Sequence, residues 1–239
     1  MNTLTAYLTF AVMLISHTAF SQYYYLPNTG PGENPGDLNT DSEYTTSSLA
    51  AGWTTILSGA NTSGTYSSTR TIPFSFNFNG SAVTQYKVSN SGILTFDVGT
   101  ATSPSSSNTS LPSASVPDKA ICIWGLSGSG TNDNIVTKTF GSSPDRQHWI
   151  FFSSYNYSGG GTSCWTYWSI VLEEGTDKIY LVDQRHSSSS SCVPSLTLGI
   201  QIDNSTAYQV SGSPNVNPLA GTNSGPSDNA YYEFVYGIQ

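Results

Sequence analysis

Two runs of aromatic and β-branched residues, separated by a short polar turn, constrain the fold of this chain more than any other stretch. The first run covers residues 165–172 and the second covers residues 178–182. Residues of these types favour strands, and the intervening segment 173–177 has the length of a hairpin loop and contains one glycine. The pattern therefore predicts an antiparallel β-hairpin.

Placing Glu173 opposite Lys178 fixes the register of this hairpin. The predicted cross-strand pairs are Leu172 with Ile179, Ile170 with Leu181, and Trp168 with Asp183. Because side chains alternate between faces along a strand, the opposite face carries Trp165, Tyr167, Val171, Tyr180, Val182 and His186. Neither face is polar, so the hairpin belongs at the centre of a layered sheet or offers an aromatic surface to a partner.

The aromatic surface is the first candidate binding site. It consists of Trp165, Tyr167, Tyr180 and His186. Aromatic rings with a polar group at one end suit partly solvated surfaces, where they stack on a sugar ring or contact another protein. The alternative is that these residues face the second sheet of a sandwich, because a sandwich needs large side chains on its inner faces.

The rest of the chain continues the strand pattern. About a dozen short strand-like segments with regularly spaced turns follow one another from residue 53 onward. A Ser-, Thr- and Pro-rich segment, residues 98–117, interrupts them and is interpreted as a long surface loop. Helix-forming residues are scarce. We therefore expect an all-β, antiparallel two-sheet sandwich, jelly-roll-like, in a single domain over residues 51–239.

The N-terminal region has two predicted parts. Residues 4–15 are largely apolar and small residues precede Gln22, so residues 1–21 are typical of a cleaved signal peptide, and no later run is long enough to cross a bilayer. Residues 22–50 are rich in Pro and Gly and are expected to lack regular structure. This arm lies loosely on the domain, or its Tyr23, Tyr24 and Tyr25 dock on a neighbouring copy as an added strand.

The three cysteines all lie after the predicted signal peptide. Their separations do not match the short spacings of zinc sites. In an oxidising compartment the hairpin geometry favours a disulfide between Cys164 and Cys192. Cys122 is then a buried free thiol, with an intermolecular bridge as the alternative.

Sequence features of catalysis and of nucleic-acid binding are weak. Fifteen acidic against seven basic residues give a net charge of -8, which disfavours a nucleic-acid partner. The chain has no nucleophile-elbow or zinc-protease motif, and we expect no enzymatic activity and no cofactor. Oxygen-rich clusters at residues 132–134 and 228–229 suit Ca²⁺, although Asn and Asp are also ordinary turn residues.

Several segments together resemble a known module. Five segments carry the resemblance: residues 71–80 (TIPFSFNFNG), 88–96 (VSNSGILTF), 143–146 leading into Trp149, 168–174 and 198–201. In order and spacing they resemble a β-sandwich module of secreted and cell-surface proteins of Bacteroidota. The resemblance covers most of residues 50–237. It implies a jelly-roll or lectin-like sandwich, usually non-catalytic, exported by the type IX route or displayed on the surface. The sequence shows no added C-terminal sorting domain, so the export route stays open.

Two functions therefore remain for a secreted, extracellular or cell-surface protein. The first is a non-catalytic structural or adhesive module whose partners are proteins or copies of itself. The second is a glycan-binding, lectin-like domain that uses the aromatic surface of the hairpin.

Overall fold

The fold of the chain is an antiparallel two-sheet β-sandwich, as predicted from the sequence. A computed structural model describes residues 21–28, 34–41, 52–58, 64–128, 132–158, 160, 163–193, 195–222 and 229–238. The predicted signal peptide lies outside these residues except for Ser21. Within them, no helix has the length and apolar character needed to cross a bilayer.

Fourteen strands form the described part of the sandwich. In chain order they are β1 Gln22–Asn28, β2 Thr54–Leu57, β3 Arg70–Phe78, β4 Ser81–Ser89, β5 Ile93–Thr95, β6 Ala120–Trp124, β7 Leu126–Ser127, β8 Asn134–Phe140, β9 Gln147–Tyr157, β10 Trp165–Glu173, β11 Ile179–His186, β12 Thr197–Asp203, β13 Thr206–Gln209 and β14 Ala230–Gly237. One sheet, here called sheet A, has the order β1-β14-β11-β10-β9-β8-β2, with β7 beside β9. The other, sheet B, has the order β13-β12-β6-β5-β4-β3.

The predicted hairpin is formed by β10 and β11 near the centre of sheet A. Leu172 pairs with Ile179, Ile170 with Leu181, and Trp168 with Asp183, so the predicted register is confirmed. The amide of Glu173 donates to the carbonyl of Lys178 at 3.1 Å, which closes the turn. A local turn sets this register, because each further pair follows from the closing pair by alternation.

The main core lies between the two sheets. Sheet A contributes Trp168, Ile170, Leu172, Ile179 and Leu181 from the hairpin, and sheet B contributes the alternating aromatic residues of β3. Those residues are Phe74, Phe76 and Phe78, which point inward between exposed polar neighbours. Pro73 lies in β3 between Thr71 and Phe76, where the pairing with β4 shifts register, and it is tolerated because β3 is an edge strand.

Each sheet also buries apolar residues on its outer face. On sheet A a second cluster contains Trp149, Phe151, Tyr167, Val171 and Tyr180 together with Trp53. On sheet B a third cluster, which includes Cys122 and Trp124, packs with Leu111 and Val116 of the long loop. The indole of Trp124 donates to the carbonyl of Ser105 in the same loop at 2.7 Å. The segment 98–117 is therefore a loop, as expected, and it covers one face of the sandwich.

The N-terminal arm departs from the prediction. Gln22–Asn28 is a regular strand that pairs antiparallel with β14 at all seven positions. Its Tyr23 is almost fully buried in the main core. The Pro and Gly content lies mostly after this segment, and Pro27 is tolerated because β1 is at the edge of sheet A. The expectation that residues 22–50 lack regular structure is therefore wrong for β1.

The cysteine prediction is confirmed. Cys164 and Cys192 form a disulfide with a Cα–Cα separation of 5.2 Å. Cys122 is a free thiol with no exposed surface, and its burial raises its pKa well above the ordinary value. A thiol in this position is inaccessible to a second chain, which argues against the intermolecular bridge.

Candidate functional site

A β-bulge in the hairpin changes which residues share its outer face. The register between β10 and β11 shifts between Tyr167 and Trp168, so Tyr167 pairs with Arg185 and Thr166 pairs with His186. Thr166 points to the inner side, where its Oγ1 accepts from the Tyr157 hydroxyl at 3.1 Å. His186 therefore lies on the opposite face from Tyr167, and its predicted place in the aromatic surface is wrong. A bulge inserts one residue on one strand only and reverses the alternation beyond it.

Arg185 occupies the position that the sequence pattern assigned to His186. Its guanidinium carbon lies 4.9 Å from the ring centroid of Trp165 and 5.9 Å from that of Tyr167. Its Nε donates to the carbonyl of Thr222 at 2.9 Å. Trp165 is half-buried, so one edge of this cation–π group faces solvent.

The two tyrosines of the predicted surface are buried. Tyr167 packs against Phe151 with ring centroids 5.9 Å apart and an interplanar angle of 28°. The hydroxyl of Tyr180 donates to the carboxylate of Glu173 at 3.1 Å. Burial, reinforced by the charge of Glu173, raises the pKa of Tyr180 far above its ordinary value. These rings are part of a packed cluster and cannot serve as an open platform.

The residues just before β2 help to cover this cluster. The ring of Trp53 lies 5.7 Å from that of Phe151, and its indole Nε1 donates to a carboxylate oxygen of Asp41 at 2.7 Å. The same oxygen accepts from Lys138 Nζ at 2.7 Å, which ties residue 41 to β8. The outer face of sheet A is thus a second core, and Trp165 with Arg185 is its solvent-facing margin.

The second candidate surface is the edge formed by β1, here called the tyrosine edge (Gln22–Asn28). The hydroxyl of Tyr23 accepts the backbone N–H of Asn79, and that of Tyr25 accepts the backbone N–H of Ser211, both at 2.9 Å. Both tyrosines therefore connect β1 to sheet B. The predicted group Tyr23, Tyr24 and Tyr25 lies together, paired with β14 of its own chain.

A cleft of about 240 Å³ lies beside the tyrosine edge. It is lined by Tyr23, Tyr24, Tyr25, Tyr208 and Gln209, so it separates the edge strand of sheet A from the edge strand of sheet B. The rings of Tyr23 and Tyr208 meet edge to face at 6.1 Å on its inner side. None of the described residues that line this cleft is charged.

The outer side of the tyrosine edge exposes apolar surface. Leu26 is 54% exposed, and Tyr24 and its cross-strand partner Val235 are half-buried. The nearest acidic residue on β14, Glu233, is bound to Lys178 Nζ at 2.8 Å. Sequence patterns identified the tyrosines but not Tyr208, because only the folded sandwich brings β13 next to β1.

Two titratable sites outside these surfaces have clear structural partners. Arg146 Nε lies 2.6 Å from the carboxylate of Glu174, which raises the pKa of the arginine and lowers that of the glutamate. The imidazole of His148 is enclosed between the hydroxyls of Tyr86, at 2.8 Å, and Thr139, at 3.0 Å. Within the described ranges, no three His, Cys, Asp or Glu side chains are grouped closely enough to hold a metal ion.

The predicted calcium ligands are only partly described. Asp133 is buried, and Asn134 Nδ2 donates to the carbonyl of Asn132 at 3.1 Å, which is turn geometry. Asn229 Nδ2 donates to Asn34 Oδ1 at 2.8 Å, while residue 228 lies outside the described residues. Calcium binding at either place stays the untested alternative to ordinary turn use.

The fold defines a class of protein: a β-sandwich module with one internal disulfide among the described residues. A family model described as NIDO related matches residues 39–236, and the chain belongs to this NIDO-related family. NIDO domains are extracellular, non-catalytic modules. Neither a curated protein nor a solved structure matches the chain. The Bacteroidota origin and the lectin-like identity implied by the sequence resemblance stay predictions.

Proposed function

We propose that this chain is a non-catalytic extracellular module with a structural or adhesive role at the cell surface, and that its partners are proteins or copies of itself. The observation that carries this proposal is the tyrosine edge, an uncharged strand in a chain with a net charge of -8. A contiguous patch of exposed apolar side chains marks an interaction surface, whereas single exposed apolar residues are ordinary. Leu26 and Tyr24 lie on the same side of this strand and form part of such a patch.

An extracellular location is supported by two independent features. The Cys164–Cys192 disulfide is of the kind that persists in oxidising compartments, and NIDO domains are extracellular. Mass spectrometry of the exported protein tests the location. The expected result is an N-terminus at Gln22 with the disulfide intact. A chain recovered only from the cytoplasm, with both thiols reduced, contradicts it.

The absence of catalysis is supported by how the described titratable groups are used. The imidazole of His148 is hydrogen-bonded to two hydroxyls, and the carboxylate of Glu174 is bound to Arg146. A general acid or base must reach the proton that it transfers. Turnover of any substrate by the purified protein, lost on substitution of a residue in this chain, contradicts this part of the proposal.

The adhesive role is tested on cells and in solution. Antibody labelling of intact cells shows whether the module is displayed, and sedimentation and electron microscopy show whether it assembles. A surface-displayed protein that assembles, or that attaches cells to a protein-coated surface, supports the proposal. A strictly monomeric and non-adherent protein argues against it.

Glycan binding is the second candidate function, and one observation favours it. The half-buried ring of Trp165 has a guanidinium group 4.9 Å from its centroid and keeps one edge toward solvent. An aromatic ring beside a hydrogen-bond donor suits a sugar. A glycan array probed with the wild type and with Trp165→Ala decides: binding lost on substitution supports this function, and no binding to any glycan removes it.

A further inference from the structure

In the described part of the sandwich, the strands at the ends of the two sheets, β1, β2, β3 and β13, differ in how well they are protected against pairing with another chain. In sheet A, β2 has four residues and a bulge between Thr55 and Leu57. In sheet B, β13 has four residues, and β3 contains Pro73 and a break in register. Short length, bulges and proline are the features that protect natural sheet edges. These three edges are therefore poor templates for an added strand.

As far as the described residues show, the tyrosine edge has only one of these protective features, Pro27. It has seven residues, none charged, and it keeps regular register with β14 along its whole length. Pro27 removes one N–H near the end of the strand and leaves Gln22–Leu26 free to pair. A long, uncharged edge strand with exposed apolar residues is a template for strand addition.

We propose that β1 of one copy pairs antiparallel with β1 of a second copy, so that sheet A continues across a two-fold axis. This inference rests on the proposed function and specifies its partner. Antiparallel pairing of a strand with itself is isologous, since each copy offers the same surface to the other. Two copies that each carry a net charge of -8 repel one another, so contact requires a locally neutral edge. The edge meets this condition because it has no charged residue and the neighbouring Glu233 is ion-paired with Lys178.

The cleft beside the tyrosine edge fits such a pairing. A strand added to β1 extends sheet A, and its inward side chains then stand over the edge of sheet B, where Tyr208 lies. The side chain of Gln209 points away from the cleft, since its Oε1 accepts the backbone N–H of Leu111 at 2.8 Å on the outer side of sheet B. An uncharged cleft of about 240 Å³ is therefore left for side chains of the added strand.

Sedimentation of the exported protein with two substitutions tests this pairing. Leu26→Lys puts a charge on the edge, and Tyr208→Ala removes one wall of the cleft. We expect the wild type to sediment as a dimer. Each variant should raise the dimer dissociation constant about tenfold, Leu26→Lys because it adds charge and Tyr208→Ala because it removes apolar contact. Thermal unfolding checks that each variant is folded, and Leu26→Glu provides a second charged variant at an exposed position.

Val193→Lys is the matched control. Val193 is an exposed apolar residue outside the edge, so the same charge at this position leaves the dimer unchanged. A monomeric wild type at high protein concentration overturns the pairing, and so does a dimer that Leu26→Lys and Leu26→Glu leave intact. Assembly that survives these variants still supports the structural role and refutes only the tyrosine edge as its contact. Loss of assembly in Val193→Lys as well overturns the assignment to this edge.

Discussion

Buried His148 makes the stability of the sandwich depend on pH in a defined window. The imidazole lies between sheet A and sheet B, with Nε2 at 2.8 Å from the Tyr86 hydroxyl and Nδ1 at 3.0 Å from Thr139 Oγ1. Burial lowers its pKa from the ordinary 6.5 to about 4. The neutral ring is therefore the stable form in the folded protein, and the charged ring is stable only after unfolding.

The direction and size of the effect follow from this difference. Between pH 6.5 and pH 4 the unfolded chain holds the proton and the folded chain does not, so stability falls as the pH is lowered through this window. A pKa shift of this size lowers the free energy of unfolding by about 2 kcal/mol when the pH reaches 5, and by about 3 kcal/mol once the pH is below both pKa values. Such a loss is a large part of the stability of an ordinary domain.

Urea unfolding at a series of pH values measures this contribution. The wild type is compared with His148→Gln, which keeps a donor and an acceptor but does not titrate, so that carboxylate effects common to both proteins cancel. We expect the stability difference between them to change by about 2 kcal/mol from pH 8 to pH 5, with the wild type losing more. A difference that is constant over this range refutes the assignment. NMR titration gives a second measure, since the imidazole of His148 should remain neutral at pH 5 in the folded protein.

Three further predictions concern stability and reactivity. Replacing Cys164 and Cys192 by serine opens a loop with a sequence separation of 28, and should lower the free energy of unfolding by about 3.5 kcal/mol, as measured by urea unfolding; an unchanged midpoint contradicts this. Cys122 should react with a maleimide only in denaturant, because it is fully buried; rapid labelling of the native protein contradicts its position. Gly92→Ala places a Cβ against the backbone carbonyl oxygen of Ile123, whereas a Cβ at Gly64, with a similar positive φ, contacts none of the described residues. Gly92→Ala should therefore destabilise by about 2 kcal/mol more than Gly64→Ala, and equal effects in thermal unfolding would show that the close contact is absent.

The candidate site was only partly predictable because a bulge and a distant segment decide it. Alternation correctly assigned the pairs from Leu172 to Trp168, but it could not locate the register shift that replaces His186 with Arg185 on the outer face. Nor does a strand pattern reveal what packs against it. Trp53 covers Phe151 from a segment far away in sequence.

The sequence by itself determined the all-β class, the central hairpin and its register, and the best cysteine pair. These features follow from local alternation and from a turn that connects adjacent strands. Only the tertiary structure decided that β1 joins the edge of sheet A beside β14, that Tyr167 and Tyr180 are covered, and that Tyr208 meets the tyrosine edge. Contacts between distant segments depend on which surfaces remain uncovered when the sheets pack together, and no local pattern encodes that choice.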